Sequence, residues 1–223
     1  METQSTTSVA KSQRSTGIRL SGRLVFAVVA VWGLLVVSGL FGLWNYGAIS
    51  GDAEAPPAMW PTQSQIARKS GPTLLLFAHP LCPCSRASLA ELARLVAACH
   101  DRVDTHVLLI APREMEAAWR DSDLYSEARA IPGVTVEADV NRCEARLFRA
   151  RTSGICLLYG SDGKLLFQGG ITPSRGHEGD NYGSRSIVSM LSGENAESNA
   201  TPVFGCPLFE NEITSIEPES SSK

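Results

Sequence analysis

The chain of 223 residues has little charge and no basic surplus: charged side chains make up 19% and the net charge is −3. Past residue 46 there are 16 basic and 22 acidic residues, which excludes the positive face that a nucleic-acid-binding domain presents. No internal repeat is visible. Cysteine is missing from the first 80 residues, and the six that follow are too few for a small disulfide-stapled scaffold. Between Leu24 and Tyr46 there is no charged residue at all. What is present is a hydrophobic fraction of 43%, enough for a packed core and incompatible with global disorder.

The uncharged run LVFAVVAVWGLLVVSGLFGLWNY holds 23 residues, against the roughly 20 that a bilayer-spanning helix needs. Trp44 and Tyr46 lie at its far end, where amphipathic rings favour the membrane interface. Lys11, Arg14, Arg19 and Arg23 precede the run and the next basic residue is Arg68. That bias keeps the N-terminus in the cytoplasm and exports everything after Tyr46. Ala53-Glu54-Ala55 resembles a signal-peptidase site, but it lies well beyond the run, and the run exceeds the roughly 7–15 apolar residues of a cleaved signal. The expectation is a retained anchor. The chain then divides into a cytoplasmic tail (1–23), a transmembrane helix (24–46), a proline-containing spacer (47–66), a domain (67–209) and a polar tail (210–223). In an exported domain disulfides persist.

Within the domain, helical and strand patterns alternate. The apolar run Thr73–Ala78 predicts a strand buried on both faces. Leu89, Leu92, Val96 and Cys99 form one stripe of a helix over Ser85–Cys99. Val103–Ile110 and Val134–Glu137 read as strands, and Glu114–Ala130 and Arg142–Arg149 as helices. Ile155–Tyr159 and Leu165–Gln168 flank Asp162-Gly163, a strong hairpin signal. Ser184–Leu191 is the last helix. The order β-α-β-α-β-α-β-β-α implies an α/β sandwich whose largely parallel sheet gains antiparallel strands from the hairpin.

The first strand runs into His79-Pro80-Leu81-Cys82-Pro83-Cys84-Ser85 and directly into a helix. A helix N-terminus offers free N–H groups and partial positive charge, which stabilise a thiolate. Pro83 suits the first helical position, where a missing N–H costs nothing. Cys82 then falls at the cap, with its sulfur near the mouth of the turn, and Cys84 in the first turn. Side chains at i and i+2 of a regular helix point about 200° apart. A Cys82–Cys84 bridge therefore requires Cys82 to keep non-helical angles, and it would be strained and labile.

This order of elements, with two cysteines at the first strand-to-helix turn and a late D-G-K hairpin ending in Gly169-Gly170, resembles the thioredoxin-like superfamily over about residues 67–195. It is most similar to membrane-anchored, periplasm-facing thioredoxin-like proteins of bacteria. The resemblance implies a three-layer sandwich on a mixed central sheet, thiol–disulfide exchange, Cys82 as attacking thiol and Cys84 as its resolving partner. It also implies a place in the bacterial inner membrane, with periplasmic protein thiols or disulfides as partners. Two positions depart from the family. Thioredoxins carry C-x-x-C where this chain has C-P-C, and a cis-proline where it has Ser153-Gly154 before Ile155, so substrate handling differs.

His79 is the imidazole nearest in sequence to Cys82. In the loop Thr172–Gly183, Arg175 and His177 are placed to stabilise a thiolate or take a proton. Cys206, in the apolar patch Val203–Phe209, docks on the domain and brings a third thiol towards the pair. Cys99 and Cys156 read as core, Cys143 as an exposed helix start, and His100 and His106 have no chemical company in the sequence. The leading expectation is a membrane-tethered oxidoreductase that uses no cofactor beyond its own thiols. The alternative is a thioredoxin-like Cu(I) carrier with Cys82, Cys84 and His177 as ligands, since soft thiolates select Cu(I).

Overall fold

The computed structural model describes residues 21–99, 102–111 and 122–209. Two compact units divide between Leu43 and Trp44. The first is made by helix α1 (Gly22–Ala48), which continues to Ala48 and has no buried residue. At 1.5 Å per residue its 27 residues reach about 40 Å, more than the roughly 30 Å of a hydrocarbon core. It is long and apolar enough to cross a membrane.

The second unit holds β1 (Thr73–Ala78), α2 (Pro83–Cys99), β2 (Asp104–Ala111), α3 (Asp123–Arg129), β3 (Val134–Val140), α4 (Cys143–Leu147), β4 (Ile155–Tyr159), β5 (Leu165–Gly170) and α5 (Tyr182–Leu191). The strands form one sheet in the order β3-β2-β1-β4-β5. β1, β2 and β3 run parallel, while β4 is antiparallel to both β1 and β5. The mixed sheet expected from the hairpin is therefore present, with β1 at its centre. Residues 112–121 are outside the described ones, and the helix expected over Glu114–Ala130 is interrupted at Ser122, whose extended angles (φ −70°, ψ 146°) cap the start of the separate short helix α3.

β1 is buried along its whole length, as a central strand covered on both faces must be. Leu74, Leu76 and Ala78 face Leu89, Leu92 and Leu95 of α2, Leu124 of α3 and Ile187 of α5. Leu75 and Phe77 face the opposite layer, where Phe148, Tyr159, Ile66, Val203 and Leu208 pack. The sandwich has three layers, and β1 contributes to both interfaces.

Three expectations need correction. The prolines and glycines of 47–66 read as a spacer, but this stretch lies on the sheet edge and the second core. Trp60 stacks edge-on against Phe148 (4.9 Å) and Tyr159 (5.2 Å), and the Tyr159 hydroxyl donates to Pro57 O at 2.9 Å. Leu165 N donates to Ala58 O, and Trp60 N to Gly163 O. Proline suits such an edge segment because few of its N–H groups have a partner to meet. The short strand expected over Val134–Glu137 continues to Val140, since its polar end is consumed locally. Asp139 accepts from the N–H groups of Glu144 and Ala145 and so caps α4. The helix itself is shorter than the expected Arg142–Arg149, because Asn141, Arg142 and Arg149 take left-handed angles (φ 58°, 59° and 54°).

A spacer residue is indifferent to truncation, whereas Trp60 fills a three-ring cluster. Trp60→Ala is expected to cost about 2 kcal/mol, roughly half the 3–5 kcal/mol of a fully buried aromatic. Urea unfolding of the full chain in detergent measures this; an unchanged midpoint would return residues 47–66 to the role of a spacer.

Candidate redox site

β1 ends at Ala78, and the next residues make a tight turn before α2. Cys82 N donates to His79 O and Ser85 N to Cys82 O, each at 3.0 Å. Ser85 Oγ donates to His79 O at 3.1 Å, and Leu81 N donates to His79 Nδ1 at 3.2 Å. Cys82 is thus the capping residue and Pro83 the first helical one, where its missing N–H leaves nothing unsatisfied. His79 contributes mainly its backbone and the ring atom that holds Leu81.

The loop before β4 closes the turn from below. Ser153 Oγ accepts from His79 N and lies 2.9 Å from Ser85 Oγ, and Gly154 N donates to Phe77 O. Among the described residues no peptide bond is cis. Ser153 and Gly154, the latter at φ 92°, stand immediately before β4. Neither Ser85 nor Ser153 stands out in the sequence, because a serine acquires this role only through the neighbours that folding supplies.

The third element is the segment after α5. It runs beside β5, with Thr201 N donating to Gln168 O and Gly170 N to Pro202 O, and then crosses the loop before β4. Ser153 N donates to Cys206 O and Leu208 N to Arg151 O, each at 2.8 Å. The approach is so close that a Cβ on Gly205 would stand 1.8 Å from Ser153 O, which only glycine avoids. This arm sets the Cys206 sulfur 2.9 Å from that of Cys82. Arg175 holds the arm from the other side, donating from Nη1 to Gly205 O at 2.6 Å and from Nη2 to Ile49 O at 3.4 Å.

Burial differs among the three thiols. Cys82 is 3% exposed, so its sulfur is covered by the arm and does not stand at the mouth of the turn as its cap position suggested. Cys84 and Cys206 are half-buried. Burial opposes ionisation of Cys82, yet its pKa is lowered. The Cys206 thiol and the N–H groups of Cys206 and Cys84 donate towards its sulfur and outweigh the desolvation. Cys84 is pushed up by burial and by the negative charge on Cys82, against the pull of Arg175. Cys206 is pushed up to about 12 by burial, by its hydrogen bond to Cys82 and by the charges on Cys82 and Cys84, again against Arg175. Of the three thiols, Cys82 is therefore the one that ionises most readily.

His177 is exposed, and its Nδ1 donates to Arg175 O at 2.7 Å. Among the described residues no three His, Cys, Asp or Glu side chains are arranged to hold a metal ion, so the set Cys82, Cys84 and His177 is not assembled. Cys99 and Cys156 are fully buried in the core, and burial raises both thiols. Cys143 is exposed at the start of α4. His106 does have company: its two ring nitrogens lie 3.1 Å from Asp104 and 2.9 Å from Glu137. His100 lies outside the described residues.

No protein-family model matches the chain, and no curated protein does. Solved structures do. An uncharacterized conserved protein from Geobacillus kaustophilus is 19% identical over 74% of this chain and 94% of its own, with a TM-score of 0.53. A hypothetical protein from Sinorhizobium meliloti 1021 is 16% identical over 71% and 95%, with a TM-score of 0.52. A secreted Mycobacterium tuberculosis disulfide oxidoreductase homologous to E. coli DsbE is 14% identical over 56% and 83%, with a TM-score of 0.42. At such identities the likeness speaks to architecture alone. The fold is thioredoxin-like.

A depressed pKa keeps the Cys82 thiolate populated below the ordinary thiol value of about 8.5. Its contribution to the stability of the reduced fold is present above that value and lost as pH falls through the lower, folded one. Titration of ultraviolet thiolate absorbance in the reduced chain is expected to show one step below the ordinary thiol value of about 8.5, absent in Cys82→Ser. In Cys206→Ala the step moves up, because one donor is gone. A first step at the ordinary value would mean that the cluster does not activate Cys82.

Proposed function

We propose that this protein is a membrane-tethered thiol–disulfide oxidoreductase that acts on protein thiols or disulfides on the periplasmic face of a bacterial inner membrane. The observation that carries the reading is the Cys82 sulfur at the N-terminus of α2, ringed by donors that lower its pKa. The thiolate is the reactive species in disulfide exchange, whether it attacks or leaves. The fold supports this reading, since it presents the end of β1 and the start of α2 as one rigid turn. The chemistry needs no group beyond the protein's own thiols. α1 supplies the tether, and the three arginines before its uncharged run (Arg14, Arg19, Arg23) against none until Arg68 orient the domain outward.

The full chain in detergent is expected to accelerate the oxidation of a reduced dithiol peptide by oxidised glutathione, and Cys82→Ser to abolish that acceleration. Full activity in Cys82→Ser, or none in the wild type, would overturn the assignment. Orientation is checked by alkaline phosphatase fused after residue 209. The fusion is expected to be active, whereas an inactive phosphatase together with an active cytoplasmic reporter at the same position would reverse the topology.

A further inference from the structure

Cys82 and Cys206 are 124 residues apart in sequence, yet their sulfurs lie 2.9 Å apart. A disulfide needs about 2.05 Å, so closure takes less than about an ångström of movement. Cys84 also meets Cys82 through its thiol, but it lies inside the first turn of α2 only two residues on, and a bridge across so short a span is strained. The position of Cys206 is also held from several directions. Ser153 N binds its carbonyl, Leu208 N ties the following turn to Arg151, and Arg175 grips the carbonyl of Gly205.

We propose that Cys206, and not Cys84, is the disulfide partner of Cys82, and that partner thiols enter the couple at the Cys206 sulfur. The inference rests on the oxidoreductase reading and assigns that chemistry its second sulfur. Access decides the point of entry, because Cys82 is 3% exposed whereas Cys206 is half-buried. A thiolate of a partner dithiol attacks Cys206 Sγ, the Cys82–Cys206 bond breaks, and its electron pair stays on Cys82. There the N–H groups of Cys84 and Cys206 receive the charge. A thiol of low pKa leaves fastest, so the attacked sulfur and the departing one are each suited to their part. The second thiol of the partner then attacks the partner's sulfur in the mixed disulfide. It gives up its proton, and Cys206 leaves and takes one up. The partner has lost two electrons and two protons to become a disulfide. The chain has gained two electrons, with one proton on Cys206 and the other on Cys82 or released to water. Stabilising the Cys82 thiolate stabilises the reduced form, which makes the couple an oxidant of partner dithiols.

Trypsin separates the alternatives. Cys82 and Cys84 share the peptide from Ser70 to Arg86, and Cys206 lies in the peptide from Ser186 to Lys223. The full chain in detergent is oxidised with glutathione disulfide, alkylated and digested without reduction. Mass spectrometry is expected to find the two peptides joined, with Cys84 alkylated. The join is expected to persist in Cys84→Ser and to vanish in Cys82→Ser. Separate peptides, with Cys82 and Cys84 both protected from alkylation, would overturn the proposal. So would a join that survives Cys82→Ser but not Cys84→Ser. Dithiol-peptide oxidation by the same preparations tells this failure from failure of the underlying reading. Cys206→Ser with wild-type turnover overturns the pairing alone, and a wild type without turnover overturns both. Turnover lost in Cys206→Ser, together with glutathione retained on the chain, supports the pairing.

Discussion

The sulfur of Cys82 occupies the capping position of α2 beneath a covering segment, and most of the neighbouring structure serves that arrangement. Removing an ionisable thiol from water raises its pKa and would leave it inert. Here the desolvation is opposed by donors from two parts of the chain, the helix start (the N–H of Cys84) and the arm (the N–H and thiol of Cys206), while Ser153 holds the turn between β1 and α2 in register. Hydrogen bonds to the charged form lower a pKa only while the donors stay aimed. The rigidity of the surroundings is therefore part of the chemistry. β1, buried on both faces at the centre of the sheet, supplies that rigidity.

Charge in the cluster is distributed unevenly, and the unevenness is useful. Three thiols in contact do not ionise together, because each new charge raises the pKa of the others. The first charge goes to Cys82, where donors converge, and it suppresses ionisation of Cys84 and Cys206. Arg175 moderates this suppression from the far side while its guanidinium also fixes the arm through Gly205. One side chain thus links the position of Cys206 to its acidity.

Two distant stretches converge on this face of the domain. The segment that follows α1 donates from Gly51 N to Val203 O, and Asp52 O accepts from Thr152 Oγ1 at 2.8 Å. The arm is thereby bracketed by the residues that follow α1 and by the loop before β4. A stretch whose composition reads as a linker serves as a wall, because backbone groups and one tryptophan suffice to dock it.

Much of the architecture was legible in the sequence. The run of 23 uncharged residues, the buried strand Thr73–Ala78, the stripe of α2 and the Asp162-Gly163 hairpin are all local patterns, and each element formed where its pattern lay. The C-P-C motif was legible for the same reason, since the capping of a helix by Cys82 and the suitability of Pro83 depend only on neighbours in the chain. The packed segment at 47–66 and the serines at 85 and 153 were not, and of Cys206 only its approach to the pair was, not which of the two sulfurs it would meet. Each depends on residues far apart in sequence meeting across a loop or a sheet edge, and backbone hydrogen bonds leave no trace in residue type. Sequence determined that a thiol would sit at a helix N-terminus. Only the tertiary structure decided that it would be buried, and which sulfur would lie against it, because the arm's path is set by long-range backbone pairing with β5 and the loop before β4.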